Sequence, residues 1–255
     1  MIDLHSHVLP GVDDGPETMA GSLTLLRAAE AAGISRMAAT PHVREDYPTT
    51  PETMHRLVGE VNAAAREAAI AVEVLPGAEL DLVAAQELGD EELRSFGLGG
   101  NPRLLLLETP YHGWPLGLPD LVFRFAARGF SVVLAHPERN GDVQANASLL
   151  VPLVESGVLV QLTAASVDGR FGRRPQASAR ELLGANLAHL LATDAHAVEL
   201  RQTGFAAARE ELGDPELADW LTRGVPGALL EGSLLPPRPA ARRTGRLPRL
   251  RRGSL

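Results

Sequence analysis

Met1-Ile2-Asp3-Leu4-His5-Ser6-His7-Val8-Leu9-Pro10-Gly11-Val12-Asp13-Asp14-Gly15-Pro16 opens the chain. Residues 1–4 form a short apolar run. The two histidines after it are two positions apart, so on an extended strand they project from one face while the small Ser6 points away. The Gly-rich residues 11–15 form a loop carrying Asp13 and Asp14, one of which can reach back to the histidines. The loop leads into a helix, whose N-terminus favours anions nearby. Pro16 is suited to the first helical position.

The same arrangement recurs along the chain. Apolar runs at residues 1–4, 36–40, 72–75, 104–107, 131–135, 158–162 and 189–193 are mostly four to six residues long and continuous rather than alternating. Such runs suit strands buried on both faces, as in a parallel sheet covered by helices. Between them lie helical stretches with recognisable ends. One runs from Pro16 to a stop at Gly33, one from Thr50-Pro51-Glu52 toward Ala69, and one from Pro119-Asp120 to Gly129. Gly157 and Gly224 read as further C-terminal caps. About seven strand–helix repeats favour a barrel or a doubly wound sheet.

Six of the seven runs deliver a histidine or carboxylate at the same end. They supply His5 and His7, then His42, Glu79, Glu108, His136 with Arg139, and finally Asp194 and His196. In a parallel sheet those ends converge on one rim, where ligands bind. Crowded carboxylates and imidazoles on a rim call for cations, and this donor set without thiolates suits Mn, Fe or Zn. The remaining histidines read differently. His55 sits in a helix facing solvent, His189 starts a strand at the wrong end, and His112, four residues after Glu108, reads as an incidental loop histidine with the pocket mouth as its alternative place.

Composition narrows the chemistry further. The 255 residues contain no Cys and no Lys, all 24 basic residues being Arg, and no Gly-x-Ser-x-Gly occurs. Thiol nucleophiles, Schiff-base and P-loop lysines and the hydrolase elbow are thereby excluded. Water activated by metal is the natural nucleophile left. Seven Arg between Arg238 and Arg252 leave 17 Arg against 32 acids in residues 1–234, an acidic body unsuited to nucleic acid. Residues 1–234 are therefore expected to form the folded domain. Residues 235–255 read as a disordered, basic, Pro/Arg-rich tail that could touch an anionic surface. No apolar run is long enough to span a membrane and no signal peptide is evident, so a cytoplasmic location is expected.

These motifs together resemble the polymerase-and-histidinol-phosphatase (PHP) superfamily. The closest likeness is to the manganese-dependent protein-tyrosine phosphatases of bacterial capsule and exopolysaccharide loci (the CpsB/CapC type). The resemblance rests on residues 3–16, Thr40-Pro41-His42, Pro76-Gly77-Ala78-Glu79, Glu108-Thr109-Pro110, Ala135-His136-Pro137-Glu138-Arg139 and Thr193-Asp194-Ala195-His196, and it covers roughly residues 1–232. It implies an α/β fold, a distorted seven-stranded (β/α) TIM-like barrel, holding three Mn2+ ions, with Fe or Zn as other candidates. One ion would take His5, His7, Glu79 and Asp194. A second would share Glu79 and add Glu108 and His136, and a third would use Asp14, His42 and His196. Arg139 and Arg201 match the phosphate-binding arginines. The implied activity is hydrolysis of phosphotyrosine, by hydroxide formed on the metal, on a protein such as the Tyr-rich tail of a bacterial tyrosine kinase. Hydrolysis of a small phosphomonoester such as histidinol phosphate is the alternative. The resemblance leaves the oligomeric state open.

Overall fold

All seven apolar runs become strands in the computed structural model, which describes residues 1–197 and 204–240. In chain order the strands are β1 (Ile2–Ser6), β2 (Arg36–Ala39), β3 (His42–Arg44), β4 (Tyr47–Pro48), β5 (Glu73–Leu75), β6 (Glu79–Asp81), β7 (Leu104–Glu108), β8 (Ser131–Ala135), β9 (Leu159–Thr163) and β10 (Leu190–Ala192). Every residue of β1, β7 and β10 is buried, as continuous apolar runs require.

The short strands β3, β4 and β6 were not expected, and they explain the distortion. β1, β2 and β5 form a three-stranded parallel sheet, while the order β10-β9-β8-β7-β6-β3-β4 forms a seven-stranded one. The second and third strands of the ring are each broken and resumed in the other sheet: β2 continues as β3, and β5 as β6. Pro41 and Pro76 stand in the two breaks. Proline has no N–H for the ladder, so pairing stops there. The breaks lie side by side: Glu79 N donates to Pro41 O at 3.1 Å, and a Cβ on Gly77 would stand 3.3 Å from Ala39 O.

The ring closes between β1 and the end of β10 through the Ser6–Ala195 bridge, with Asp194 N donating to His5 O and His7 N to Ala195 O, each at 2.9 Å. The buried Asp3 carboxylate reinforces this seam, accepting from Thr193 N at 3.0 Å and from the Thr193 hydroxyl. Burial pushes the Asp3 carboxyl up to about 6, against the hydrogen bonds from Thr193. The result is a distorted seven-stranded (β/α) barrel.

Amphipathic helices cover it. Thr50 caps Pro51–Glu67, whose buried Met54, Leu57, Val58, Val61 and Ala65 recur at helical spacing. The first helix, however, is Met19–Ala31 with Thr18 as its cap, so Pro16 lies ahead of it. The Thr18 hydroxyl accepts from Gly21 N, and this cap starts the helix three residues later than the expected Pro16. Gly33 and Gly157 do follow helix ends, with φ of 77° and 97°. Gly224 is not a cap. Its φ is −63°, inside a wide π-turn (Trp220–Gly224) that runs into Val225–Glu231, and Gly232 ends that helix at φ 62°. Pro226, lacking an N–H, accounts for the widened turn.

Of the expected tail, residues 235–240 are described, and they lie against the body. Trp220 Nε1 donates to Pro236 O at 2.9 Å, and the Arg238 guanidinium lies over the Trp220 ring and donates to Ala188 O and Leu183 O. Residues 241–255 lie outside the described residues. His189 belongs to this end of the barrel, accepting from Val160 N at 3.1 Å near the Trp220 ring. Burial, then the Arg238 charge, pushes its imidazole down to about 4. The unfolded chain therefore binds a proton here near pH 6.5 that the native state refuses until about pH 4. This contribution is intact above pH 6.5 and is lost as the pH falls through that window, up to about 3 kcal/mol less the part that solvent screens. Melting curves from pH 8 to 4 should fall more steeply for the native chain than for His189→Gln. Parallel curves would contradict the assignment.

Candidate metal centre

β1 presents His5 and His7 on one face, their Nε2 atoms 3.3 Å apart. Each ring is fixed from behind. His5 Nδ1 meets Gln161 Oε1 at 2.9 Å, and His7 Nδ1 meets Asp13 Oδ2 at 2.7 Å. These bonds assign the proton to Nδ1 and leave both Nε2 atoms facing the cluster. The Asp13 carboxylate also accepts from Gly15 N and His42 N, at 3.0 and 3.1 Å. Gly15 is required: a Cβ there would stand 2.1 Å from His7 O.

The proline breaks deliver the next two groups. Past them, His42 and Glu79 open β3 and β6 in direct register. Glu108 ends β7, opposite Asp81 of β6. His136 follows β8 with φ 31°, and Asp194 follows β10 with φ 51°. Left-handed conformations in residues other than glycine carry strain and cluster at functional sites. Here they turn two side chains inward over the end of the barrel.

All nine side chains proposed from the sequence meet. Glu79 is at the centre: its carboxylate oxygens lie 3.4 Å from His5 Nε2, 3.5 Å from His7 Nε2, 3.0 Å from His42 Nδ1 and 2.8 Å from His136 Nε2. Asp194 Oδ1 is 3.6 and 3.4 Å from His5 and His7, and Asp14 Oδ1 is 3.0 Å from His196 and 3.7 Å from His42. Glu108 lies 3.8 Å from His42 and 3.9 Å from His136. Four overlapping groups have donor atoms within 4.8 Å of one another: His7–Asp14–His42–His196, His5–Glu79–His136, His5–His7–Asp194 and His42–Glu79–Glu108. They share His5, His7, His42 and Glu79, so the donors form one continuous cluster.

The donor chemistry fits cations. His42 Nδ1 and Glu79 Oε2 are buried and 3.0 Å apart, yet neither has a hydrogen-bond partner among the described residues. Unpaired buried polar atoms are expensive, and a cation between them would satisfy both. The ionisation states agree. Burial alone would raise the Glu79 carboxyl, but the His5 charge and the His136 hydrogen bond hold it well below the usual range. Burial and the neighbouring Glu79 instead push Glu108 up to about 7. His7 lies well above the ordinary imidazole value, because Asp13, Asp194 and Glu79 outweigh its burial. The site thus retains protons where ions of higher charge would replace them.

Arg139 stands over the opening. Its Nη1 donates to Asp194 Oδ2 at 2.8 Å, and its guanidinium lies 4.7 Å from the Tyr111 ring centroid and 5.0 Å from that of Phe171. A cavity of about 110 Å³ remains between Arg139, Arg44, Tyr111 and the cluster. Arg201 lies outside the described residues. His112 is exposed and outside the cluster, and His55 is exposed with Nε2 3.0 Å from Ser95 O. The Gly-rich loop alone left Asp13 and Asp14 undivided, and only the family resemblance singled out Asp14: Asp14 faces the cluster, and Asp13 supports it. Gln161, Arg44 and Tyr111 were missed. Gln161 had a signal, being the one polar residue in the apolar run 158–162. Arg44 had a weaker one, two positions after His42 and so on the same strand face.

Residues 1–214 match the family described as capsular polysaccharide synthesis, CpsB/CapC. The tyrosine-protein phosphatase YwqE of Bacillus subtilis (strain 168) is 34% identical over 252 residues, 95% of this chain and 98% of that protein. The tyrosine-protein phosphatase CpsB of Streptococcus pneumoniae is 29% identical over 213 residues, 79% of this chain and 85% of that one. A solved structure from the work on YwqE and CpsB, described as unique metal-dependent tyrosine phosphatases, superposes with a TM-score of 0.84 at 33% identity and covers 95% of this chain and 100% of its own. The 5-methylcytosine deaminase of Klebsiella pneumoniae, with TM-score 0.52 and 14% identity over 91% of this chain and 74% of its own, shares the fold alone.

Proposed function

Because the chain belongs to the CpsB/CapC capsular polysaccharide synthesis family, we propose that it is a metal-dependent protein-tyrosine phosphatase that regulates capsule or exopolysaccharide synthesis. The observation that carries the reading is the buried cluster around Glu79, with unsatisfied donors and a fixed guanidinium at its mouth. His5, His7, Asp14, His42, Glu79, Glu108, His136, Asp194 and His196 would hold the metal. We assign three ions, with Mn2+ preferred over Fe or Zn.

Bound cations would lower the pKa of water toward neutrality and neutralise phosphate oxygens. The chain's own residues do the rest. Asp13 and Gln161 hold His7 and His5 in the tautomer that turns Nε2 to the cluster. Arg139 offers planar, permanently charged donors to the phosphoryl oxygens, held in place by Asp194 and two rings. Tyr111, at the same opening, gives an aromatic substrate ring a face to rest on. A phenolate is a fair leaving group, since free Tyr has a pKa of about 10, so the site needs little proton donation. The substrate we propose is a tyrosine-phosphorylated protein, such as a kinase tail, on the cytoplasmic side.

The deciding experiment measures metal content and hydrolysis of a phosphotyrosine peptide before and after chelation, with histidinol phosphate as comparison. We expect turnover of the peptide to vanish on chelation and return with Mn2+. Activity that survives complete metal removal, or that is confined to histidinol phosphate, contradicts the proposal. Asp13→Asn tests the support of His7. Losing the carboxylate that orients a ligating imidazole weakens metal affinity by about 10–100-fold. Titration of the stripped protein with Mn2+ should show that loss, with kcat recovering at saturating metal; unchanged affinity would remove Asp13 from its role.

A further inference from the structure

Four cavities adjoin one another around the mouth of the barrel; one of about 770 Å³, walled largely by polar and acidic residues such as Glu45, Asp46, Glu52 and Glu87, shares Arg44 with the opening above the cluster. The opening above the cluster shares Arg44 and Tyr111 with a second cavity of about 360 Å³, beside Glu108. That cavity shares Asp81 and Pro110 with a third, a groove of about 460 Å³ between the helices Leu82–Glu87 and Leu118–Ala127. The groove is apolar in character, with Leu82, Val83, Pro115, Leu118 and Leu121 among its walls. Its distance from the cluster is short in chain terms: Asp81 is the register partner of Glu108, and Pro110 is two residues beyond it. The elements that frame it also carry exposed apolar side chains. Val83 is 63% exposed, Leu116 89% and Phe123 74%. Apolar surface gathered in this way marks an interaction site.

We propose that this groove receives an apolar side chain of the substrate polypeptide, within about three residues of the phosphotyrosine, and so selects among protein substrates. The inference rests on the phosphatase reading. The occupant follows from continuity with the catalytic mouth. A phosphotyrosine side chain reaching the cluster past Tyr111 leaves its backbone at the rim, and an extended chain advances about 3.3 Å per residue. Neighbouring side chains therefore fall over the second cavity and the groove. A small phosphate ester ends before it reaches them, so the groove distinguishes polypeptides from metabolites. Asp81, Asp120 and Arg124 rim the apolar floor, a pattern common to recognition pockets in which the centre gives affinity and the rim stays wet.

The test scans one Leu through positions −3 to +3 of an otherwise Ser-rich phosphotyrosine peptide, with the full chain loaded with Mn2+. We expect one position to raise kcat/KM about tenfold over the all-Ser peptide, through KM. In Val83→Glu, on the exposed wall, that ratio should fall to about one. The same two proteins, stripped of metal, should differ in Kd for the dephosphorylated Leu peptide by fluorescence polarisation. Equal kcat/KM at every Leu position, with 4-nitrophenyl phosphate still hydrolysed, overturns the groove and leaves the phosphatase reading standing. A Val83→Glu protein that elutes as a smaller species on size exclusion also overturns it, by assigning the surface to a second copy of the chain. Failure to hydrolyse any phosphate ester overturns both.

Discussion

Glu79→Gln should abolish turnover, lowering kcat/KM on a phosphotyrosine peptide by about 10³-fold or more, equivalent to about 4 kcal/mol of transition-state stabilisation. No other carboxylate in the cluster faces as many imidazoles. Four imidazoles approach its two oxygens within 3.5 Å, and one of those oxygens has no hydrogen bond. A carboxamide has similar shape but no charge, and turns an N–H₂ toward at least one ring nitrogen. Metal content should therefore fall with activity. Stability of the stripped protein gives a second readout with a definite sign. His5 is raised above its ordinary value by Glu79 and Asp194, and His7 by Asp13 ahead of Asp194 and Glu79, so their contribution is present in full below about pH 6.5 and fades as the pH rises through their folded values. Glu79 itself is depressed, so its contribution is present above its ordinary value and lost as the pH falls through the folded one. Both conditions hold near pH 6, where removing the charge should destabilise the stripped protein by about 3–5 kcal/mol. The loss should shrink at alkaline pH. Denaturant melts of stripped native and variant protein at pH 6 and 9 would check this. Full metal content with normal turnover in Glu79→Gln would remove Glu79 from the centre.

The barrel was legible where burial is continuous. Leu104-Leu105-Leu106-Leu107 and Val132-Val133-Leu134 have no polar side for solvent, and each lies in a fully flanked strand. The site was legible for a related reason: His, Asp and Glu at the ends of such runs have no structural role that an apolar neighbour would not fill better. What remained hidden depends on contacts between distant residues. β3 and β6 have three residues each, too few to show a period, and exist because Pro41 and Pro76 interrupt neighbouring strands at the same level. The seam depends on Asp3 meeting Thr193, 190 residues away. Asp13 and Asp14 are chemically identical in the sequence. Only the fold of residues 11–15 turns one behind His7 and the other toward His196. Gly224 misled because a glycine two residues before Pro226 can relieve a turn as readily as end one.

Arg139→Ala should separate substrate binding from metal binding. Arg139 touches the cluster only through Asp194 Oδ2, while Asp194 Oδ1 faces His5 and His7. Removing the guanidinium therefore takes away a donor to phosphate and leaves the oxygen directed at the cluster in place. Loss of one preorganised charged donor lowers kcat/KM by about 10²–10³-fold, with metal content unchanged. Inorganic phosphate should inhibit more weakly in the same proportion. Arg139→Lys should recover little of this. The guanidinium is flat and lies against Tyr111 and Phe171, at 4.7 and 5.0 Å from their centroids, so its two outer nitrogens are held as a fork. An ammonium keeps the charge but neither the fork nor the stacking, and it must hold its position against solvent by itself. If charge alone mattered, Lys would restore most of the activity and the phosphate affinity together. Should Ala instead empty the site of metal, Arg139 acts by orienting Asp194, and its assignment to phosphate is wrong.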